Sequence, residues 1–327
     1  MTELGITIVP FVALWVAAWL SLAYGYWLTL LLTVPAAGFL VRLFTIQHDC
    51  GHGSFFQGRR ANDWVGRIIG VLTLTPYAHW RHEHALHHAT SGNLDRRGQG
   101  DVDTLTIREF RALCGWRRLH YRLIRSPIIV LGIGPLFVFG LRHRLPLRPL
   151  SANAQAWRQV MLTNLAILAT LAALAGLIGG RDLLLVQLPI TWLASTIGVW
   201  LFYVQHQFEH TYWQRDAGWS VHEGGLHGSS HLDLPPLLRW FTASIGLHHV
   251  HHLSCRIPGY RLAEVARTYP ELARINRVTL GQSFQSFRLA LWDEGEDRLV
   301  SFRAAQASER PFRSAGRNHG AAAATVP

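Results

Sequence analysis

Apolar residues in this chain come in long unbroken runs, not in the short alternations of a water-soluble fold. Residues 4–41, "LGITIVPFVALWVAAWLSLAYGYWLTLLLTVPAAGFLV", carry no charge. Residues 159–180 and 183–205 are uncharged as well. A helix needs about 20 apolar residues to cross roughly 30 Å of hydrocarbon. The first run therefore holds two spans around a turn near Tyr24-Gly25-Tyr26, and the others hold one each. The expected spans are 5–23, 27–46, 159–180 and 183–205. A shorter stretch, 127–141 ("PIIVLGIGPLFVFGL"), contains three Gly and two Pro between flanking arginines. It is too short to cross comfortably and is expected to lie at the interface or dip into the bilayer. "WVGRIIGVLTLTPY" (64–77) also reads as interfacial, because Arg67 interrupts it and Pro76 ends it. One membrane domain is expected over 1–303, with a disordered tail over 304–327.

Composition and charge sharpen this picture. The 327 residues are 49% hydrophobic and only 16% charged, and every one of the 31 basic residues is Arg. The net charge of +11 invites a nucleic-acid reading. The spans and the absence of any recognition motif exclude it. The arginines instead follow the positive-inside rule: Arg42, Arg59, Arg60, Arg142, Arg144, Arg148 and Arg158 flank apolar segments in the long 42–158 connection. That places the connection on the cytosolic side of a bacterial inner membrane. The start lacks a basic n-region, which argues against a cleaved signal peptide. The three cysteines, Cys50, Cys114 and Cys255, have no zinc-type spacing and are expected to be free thiols.

The chemistry lies in histidine. Eighteen of the 19 histidines fall between positions 48 and 252. "QHDCGHGSF" sets His48 and His52 at i, i+4. "HALHH" sets His84, His87 and His88 at i, i+3, i+4, and "HHVHH" repeats that spacing at His248, His251 and His252. "YVQHQFEHTYW" sets His206 and His210 at i, i+4. Such spacings put rings on one helix face. Chance would give roughly 0.06 copies of H-x-x-H-H in a chain of this histidine density, and two are present. Converging neutral imidazoles make a metal-ligand set. Calcium and magnesium are unsuited, since they prefer oxygen ligands. One tetrahedral zinc would use four ligands at most, so this many rings implies two metals. Zinc has no redox chemistry, and a site beside apolar spans points to iron and O₂. If 127–141 does not cross, two spans separate the second cluster from the third and all four clusters share one side of the membrane.

The boxes "HDCGH", "HALHH" and "HHVHH" resemble the three histidine boxes of the integral-membrane fatty acid desaturases. The flanks "SGNLDRRGQGDVDTLT", "VQHQFEHTYW" and "HGSSHLDLPPLLRWFTASIGLHHVHHLSCRIPGY" resemble bacterial members of the delta-12/omega-6 type. The resemblance covers roughly residues 30–270. It implies an all-α integral membrane protein with four transmembrane helices and a cytosolic helical cap holding a His-rich dimetal site. It implies two non-haem iron ions, an acyl-lipid or acyl-carrier substrate, and an external electron donor such as ferredoxin. It carries ligand roles to His48, His52, His84, His87, His88, His248, His251 and His252. His206 takes the position where relatives carry an additional His after the fourth span, and His210 follows it in the expected ligand set. The third box begins with His248 and not Gln, unlike the front-end desaturases, and no haem-binding H-P-G-G stretch is present. The implied reaction uses O₂ and two electrons to remove two hydrogens from neighbouring methylenes, leaving a cis double bond and water.

Around the boxes, Asp49, Asp95, Glu209 and Asp233 are expected to orient ligating rings through the second nitrogen, with His227 and His231 near the site. His79, His82 and His249 sit off the helical pattern and are expected to be outer or solvated groups. Trp80, Trp213, Tyr203 and Tyr212 read as belt or packing residues. His120, His143, Asp101 and Asp103 read as surface. Two other functions stay open on the residues alone. A di-iron hydroxylase or ketolase of an alkane, acyl chain or carotenoid shares the chemistry. A non-catalytic metal transporter would bury its ligands at mid-bilayer, whereas these clusters lie beyond the span ends.

Overall fold

The computed structural model describes residues 2–98, 100–146 and 153–307. Among the described residues, four helices are long and apolar enough to cross a membrane. They are α1 (Thr2–Leu20, extended by a 3₁₀ turn over Ser21–Ala23), α2 (Tyr26–His52), and the later pair α8 and α9 described below. The α1–α2 hairpin closes on hydroxyls: Ser21 Oγ lies 2.8 Å from Thr29 Oγ1, which donates to the Ala18 carbonyl at 3.2 Å. At the other end of the hairpin the Arg42 guanidinium is buried and tied to Glu3 and to the Trp240 carbonyl, with the Trp240 ring 4.3 Å away. Arg42 is thus an internal clamp as well as a flanking cation. The α2 helix runs past the expected end of its span at 46, so His48 and His52 ride on its protruding last turns. Gly53 adopts a left-handed conformation (φ 71°) and stops it there.

Two helices brace this protruding end. They are α3 (Arg59–Leu72) and α4 (Tyr77–Thr90). The stretch read as one interfacial segment, 64–77, is in fact split between them by the turn ending at Pro76. Trp64 and Ile68 remain exposed on the outer face of α3, as an interfacial helix requires. Its inner face uses glycine for close approach: a Cβ on Gly66 would lie 2.2 Å from the Tyr77 ring. The Tyr77 hydroxyl donates to the Cys50 carbonyl at 2.8 Å, locking α4 to α2.

The cap continues through α5 (Ile107–Ala112) and α6 (Gly115–Ile124). A 54° bend then leads into 129–144, which contains a π-helical turn (Ile129–Ile133) and α7 (Gly134–Gly140). The irregular turn is met by side chains from the fourth span: Thr196 Oγ1 donates to the Leu131 carbonyl (2.9 Å) and Trp192 Nε1 to the Gly132 carbonyl (3.0 Å). The last two spans are α8 (Ala154–Ile178) and α9 (Gly180–His206). Over their most apolar windows α2 is 56% buried and α8 only 6%. The former is therefore the core of the bundle and the latter its lipid-facing belt.

The rest of the cap comprises α10 (Val221–Leu226), α11 (Pro236–Phe241), α12 (His248–Leu253) and α13 (Gly259–Thr268). It also contains strands, which an all-α reading omits. β1 (Leu105–Thr106) pairs in parallel with β4 (Leu291–Asp293), which pairs antiparallel with β5 (Arg298–Val300). β2 (His231–Asp233) pairs in parallel with β3 (Arg277–Thr279). The fold remains mostly helical. The tail expected from residue 304 begins too early, because Phe302–Ala307 is helical; the remainder of that tail lies outside the described residues.

A candidate metal centre built from four histidine clusters

The spacings in the sequence become faces in the structure. On α2, positions 48 and 52 lie one above the other at its C-terminal end. On α4, His84 and His88 point one way and His87 the other, and α12 likewise divides His251 from His248 and His252. The last residue of α9, His206, completes the arrangement. Two groups of nitrogen donors result, each gathered within 4.8 Å: His48, His52, His84, His88 and His251, and beside them His87, His206, His248 and His252.

These contacts cannot all be hydrogen bonds. His84 Nε2 lies 3.1 Å from both His52 Nε2 and His88 Nε2, and His88 Nε2 lies 3.1 Å from His251 Nε2. In the second group His206 Nε2 is 3.2 Å from His87 Nε2 and 3.0 Å from His248 Nε2, which is 3.2 Å from His252 Nε2. A neutral imidazole nitrogen carries either one proton or one lone pair, so it satisfies one such contact and not two. Protonating the rings is also disfavoured. Burial holds the imidazoles of His84, His88, His248, His251 and His252 well below their usual range, and neighbouring rings push the same way. Buried lone pairs converging on a point fit a cation at each group. His48 Nε2 is a further buried donor with no hydrogen-bond partner.

The outer nitrogens set which tautomer each ring adopts. His87 Nδ1–H donates to Asp101 at 2.5 Å, and His206 Nδ1–H to the Gly228 carbonyl at 3.2 Å, so both rings present Nε2 as a lone pair. His48 Nδ1 lies 3.2 Å from Asp49, whose other oxygen accepts from the Gly259 amide at 2.7 Å. That last bond ties the start of α13 to α2.

The expectations divide accordingly. Nine of the ten expected histidines meet. His210 does not: α9 ends at His206, the chain turns, and His210 is exposed, so its i+4 spacing has no helical meaning. Asp49 reaches a ligand ring, whereas Asp95, Glu209 and Asp233 face arginines instead. Asp95 pairs with Arg215 (2.7 Å), Glu209 with Arg298 (2.8 Å), and Asp233 with Arg277 (2.5 Å) and Arg239 (3.0 Å). His231 Nδ1–H donates to the Ala273 carbonyl (2.7 Å) and His227 faces Glu223 (3.6 Å), both outside the centre. The sequence reading missed Asp101, and it missed that Trp80 stacks on His84 (4.6 Å, 14°).

A cavity of about 350 Å³ reaches the centre at His48, His84, His87 and His248. It extends between α2 and α9, with Val138 and Phe139 of α7 along one side. Its walls are mainly apolar, and the convergence of the four clusters fixes the topology around it. The chain between His88 and His206 crosses the bilayer an even number of times. With α8 and α9 as the two candidate spans in between, 129–144 adds no third crossing, the condition the sequence reading set for one shared site.

Comparison with known proteins agrees with the site. The family described as "Fatty acid desaturase" matches residues 13–283. A fatty acid desaturase of Bacillus subtilis is 48% identical over 299 residues, covering 91% of this chain and 84% of that protein. An sn-1 oleoyl-lipid 12-desaturase of Synechocystis is 30% identical over 254 residues, with 75% and 69% covered. An sn-1 acyl-lipid omega-3 desaturase (ferredoxin) from the same organism is 27% identical over 267 residues, with 76% and 70% covered.

Proposed function

This chain belongs to the fatty acid desaturase family, and on that premise we propose that it is a membrane-bound acyl-lipid desaturase with nine histidine ligands for two iron ions. The observation that carries this reading is the placement of two sets of buried and half-buried nitrogen donors at the end of an apolar cavity. Iron suits imidazole donors, and its redox chemistry supplies what zinc lacks: activation of O₂ against an unreactive methylene. Overall, a –CH₂–CH₂– unit, O₂, two electrons and two protons give a cis –CH=CH– unit and two waters. The electrons come from an external one-electron carrier, a ferredoxin or similar. The cap faces the cytosol of a bacterial inner membrane, where such a carrier is found.

The residues of this chain have three tasks. Leu40, Val41, Phe44 and Phe139 exclude water and hold the acyl chain along the cavity. Trp80 and Asp101 fix the rings of His84 and His87 by stacking and by hydrogen bonding. Gly259, through Asp49, holds the end of α2 and hence His48 in place. A shift of the chain by about 1 Å would cost roughly 10²-fold in rate, which is why the wall must be rigid.

Expression in a bacterial host, followed by mass-spectrometric double-bond mapping of its lipids, tests the reaction. New cis-unsaturated acyl chains are expected, and hydroxylated chains in their place would make the protein a hydroxylase. Metal analysis of the purified protein tests the cofactor. About two iron per chain is expected, and zinc alone after iron-replete growth would overturn the iron assignment.

A further inference from the structure

The cavity has a second end. Past the end of α7, Arg142 and His143 line it, and Arg142 is exposed to the outside. An unbroken series of rings joins that end to the metal centre. His143 packs edge-on to Phe139 (5.1 Å), Phe139 to Phe44 (6.1 Å), Phe44 to Trp80 (5.5 Å), and Trp80 stacks on His84. His143 Nδ1 is buried and has no partner, a condition that normally costs stability unless a ligand fills it. The neighbouring Arg144 is already committed. It donates to Asn164 Oδ1 (2.9 Å) and to the Leu74 carbonyl, and Asn164 Nδ2 returns a bond to the Arg144 carbonyl (2.9 Å). This clamp holds that end while Arg142 stays exposed at the cavity mouth. Glu83 lines the same cavity from α4 and lies 3.9 Å from His79, and Asp101 lies at the histidine end. On either side of the pair Leu141 and Leu145 are exposed, so apolar surface adjoins the Arg142 cation, as at a membrane interface.

Resting on the acyl-lipid reading, we propose that Arg142 and His143 form the seat for the polar end of a membrane glycerophospholipid. The ester carbonyl of the reacting chain accepts from His143 Nδ1–H, and Arg142 pairs with the phosphate. With its proton on Nδ1, the neutral His143 ring offers that otherwise unpartnered buried nitrogen as an N–H donor to the cavity. With the polar end fixed here, the distance along the cavity to the histidines decides which methylene reacts. The double bond is then counted from the carboxyl end.

The test is double-bond mapping in a bacterial host that supplies acyl chains of two lengths, with iron content measured on each purified variant. The wild type is expected to place the bond at one distance from the carboxyl carbon in both chains. His143→Leu and Arg142→Gln should lower conversion at limiting substrate by roughly tenfold and spread the bond to neighbouring positions. His143→Asn, which keeps an N–H donor, should restore the single position, and all three should retain wild-type iron. Unchanged conversion and position in both His143→Leu and Arg142→Gln would overturn the seat. So would counting from the methyl end, or full conversion of acyl-CoA without phospholipid. A wild-type chain that yields no unsaturated lipid would instead overturn the acyl-lipid reading beneath it.

Discussion

The two halves of the histidine centre are held in different ways. In the five-member group His52, His84 and His88 are only half-buried, and one outer nitrogen, that of His48, meets a carboxylate. In the four-member group His87, His206 and His248 are buried, and two outer nitrogens are fixed, by Asp101 and by the Gly228 carbonyl. The first half has more ligands and looser support; the second has fewer ligands and a tighter frame. Neither is built from its own part of the chain, because α4 and α12 each send rings to both. Loss of one ring should therefore hurt most where the donors are fewest and deepest.

His87→Ala is the most damaging test of that asymmetry. It removes one of four donors, leaves Asp101 buried beside a void, and should abolish activity and about half of the bound iron while the protein still inserts. Iron content and lipid analysis on the same preparation read both effects. His52→Ala, in the half-buried group of five, should retain more metal than His87→Ala. Equal loss in the two variants would break the comparison. His210→Ala, on its exposed turn, should leave iron and product unchanged.

The supporting carboxylates give the next largest effect. Asp101→Asn removes the charge that orients His87 and should cost roughly 10–100-fold in activity or metal affinity, the range usual for such partners. Asp95→Asn, whose carboxylate meets Arg215 and the Asp216 amide, should stay within about twofold, as exposed ion pairs do. If the two variants behave alike, the frame around His87 is not what distinguishes the buried half.

The same contrast shows how far the sequence reaches. Rings at i and i+4 were legible as neighbours because α2, α4 and α12 are regular helices there; that the i+3 ring of each H-x-x-H-H box, His87 and His251, turns to the other group was not. His210 was misread because nothing local announces that α9 stops at His206. Asp101 was unreadable for a different reason. It returns to His87 from a loop that passes through positive-φ glycines at 98 and 100, and no periodic pattern records that path. Nearness in sequence suggested Asp95, Glu209 and Asp233 instead, yet each was drawn to an arginine brought from elsewhere by the fold. The spans were legible from apolar length, but length could not separate the buried α2 from the lipid-facing α8. Strands of two or three residues left no signal, because their pairing is made between distant segments.

Glu109 offers the smallest and most specific test, because its carboxylate serves the cap and no metal ligand. It caps α5 through the Thr106 amide at 2.9 Å and receives Arg97 at 2.6 Å and 2.8 Å. The Arg97 hydrogen bonds, with help from the Thr106 amide and the charges of Arg97 and Arg215, hold its pKa down at about 2 against an ordinary 4.5. A carboxylate depressed on folding stabilises the folded state fully above its unfolded pKa. That contribution fades as pH falls from about 4.5 towards 2, where the folded chain also takes up the proton. Glu109→Gln should therefore melt below wild type at pH 7, by roughly 2 °C or less given its partial exposure, and the gap should close as pH falls from 4.5 towards 2. Iron content at neutral pH should match wild type. A gap that widens on acidification, or iron lost from Glu109→Gln, would mean that this arginine-bound carboxylate and the imidazole-bound Asp101 belong to one network.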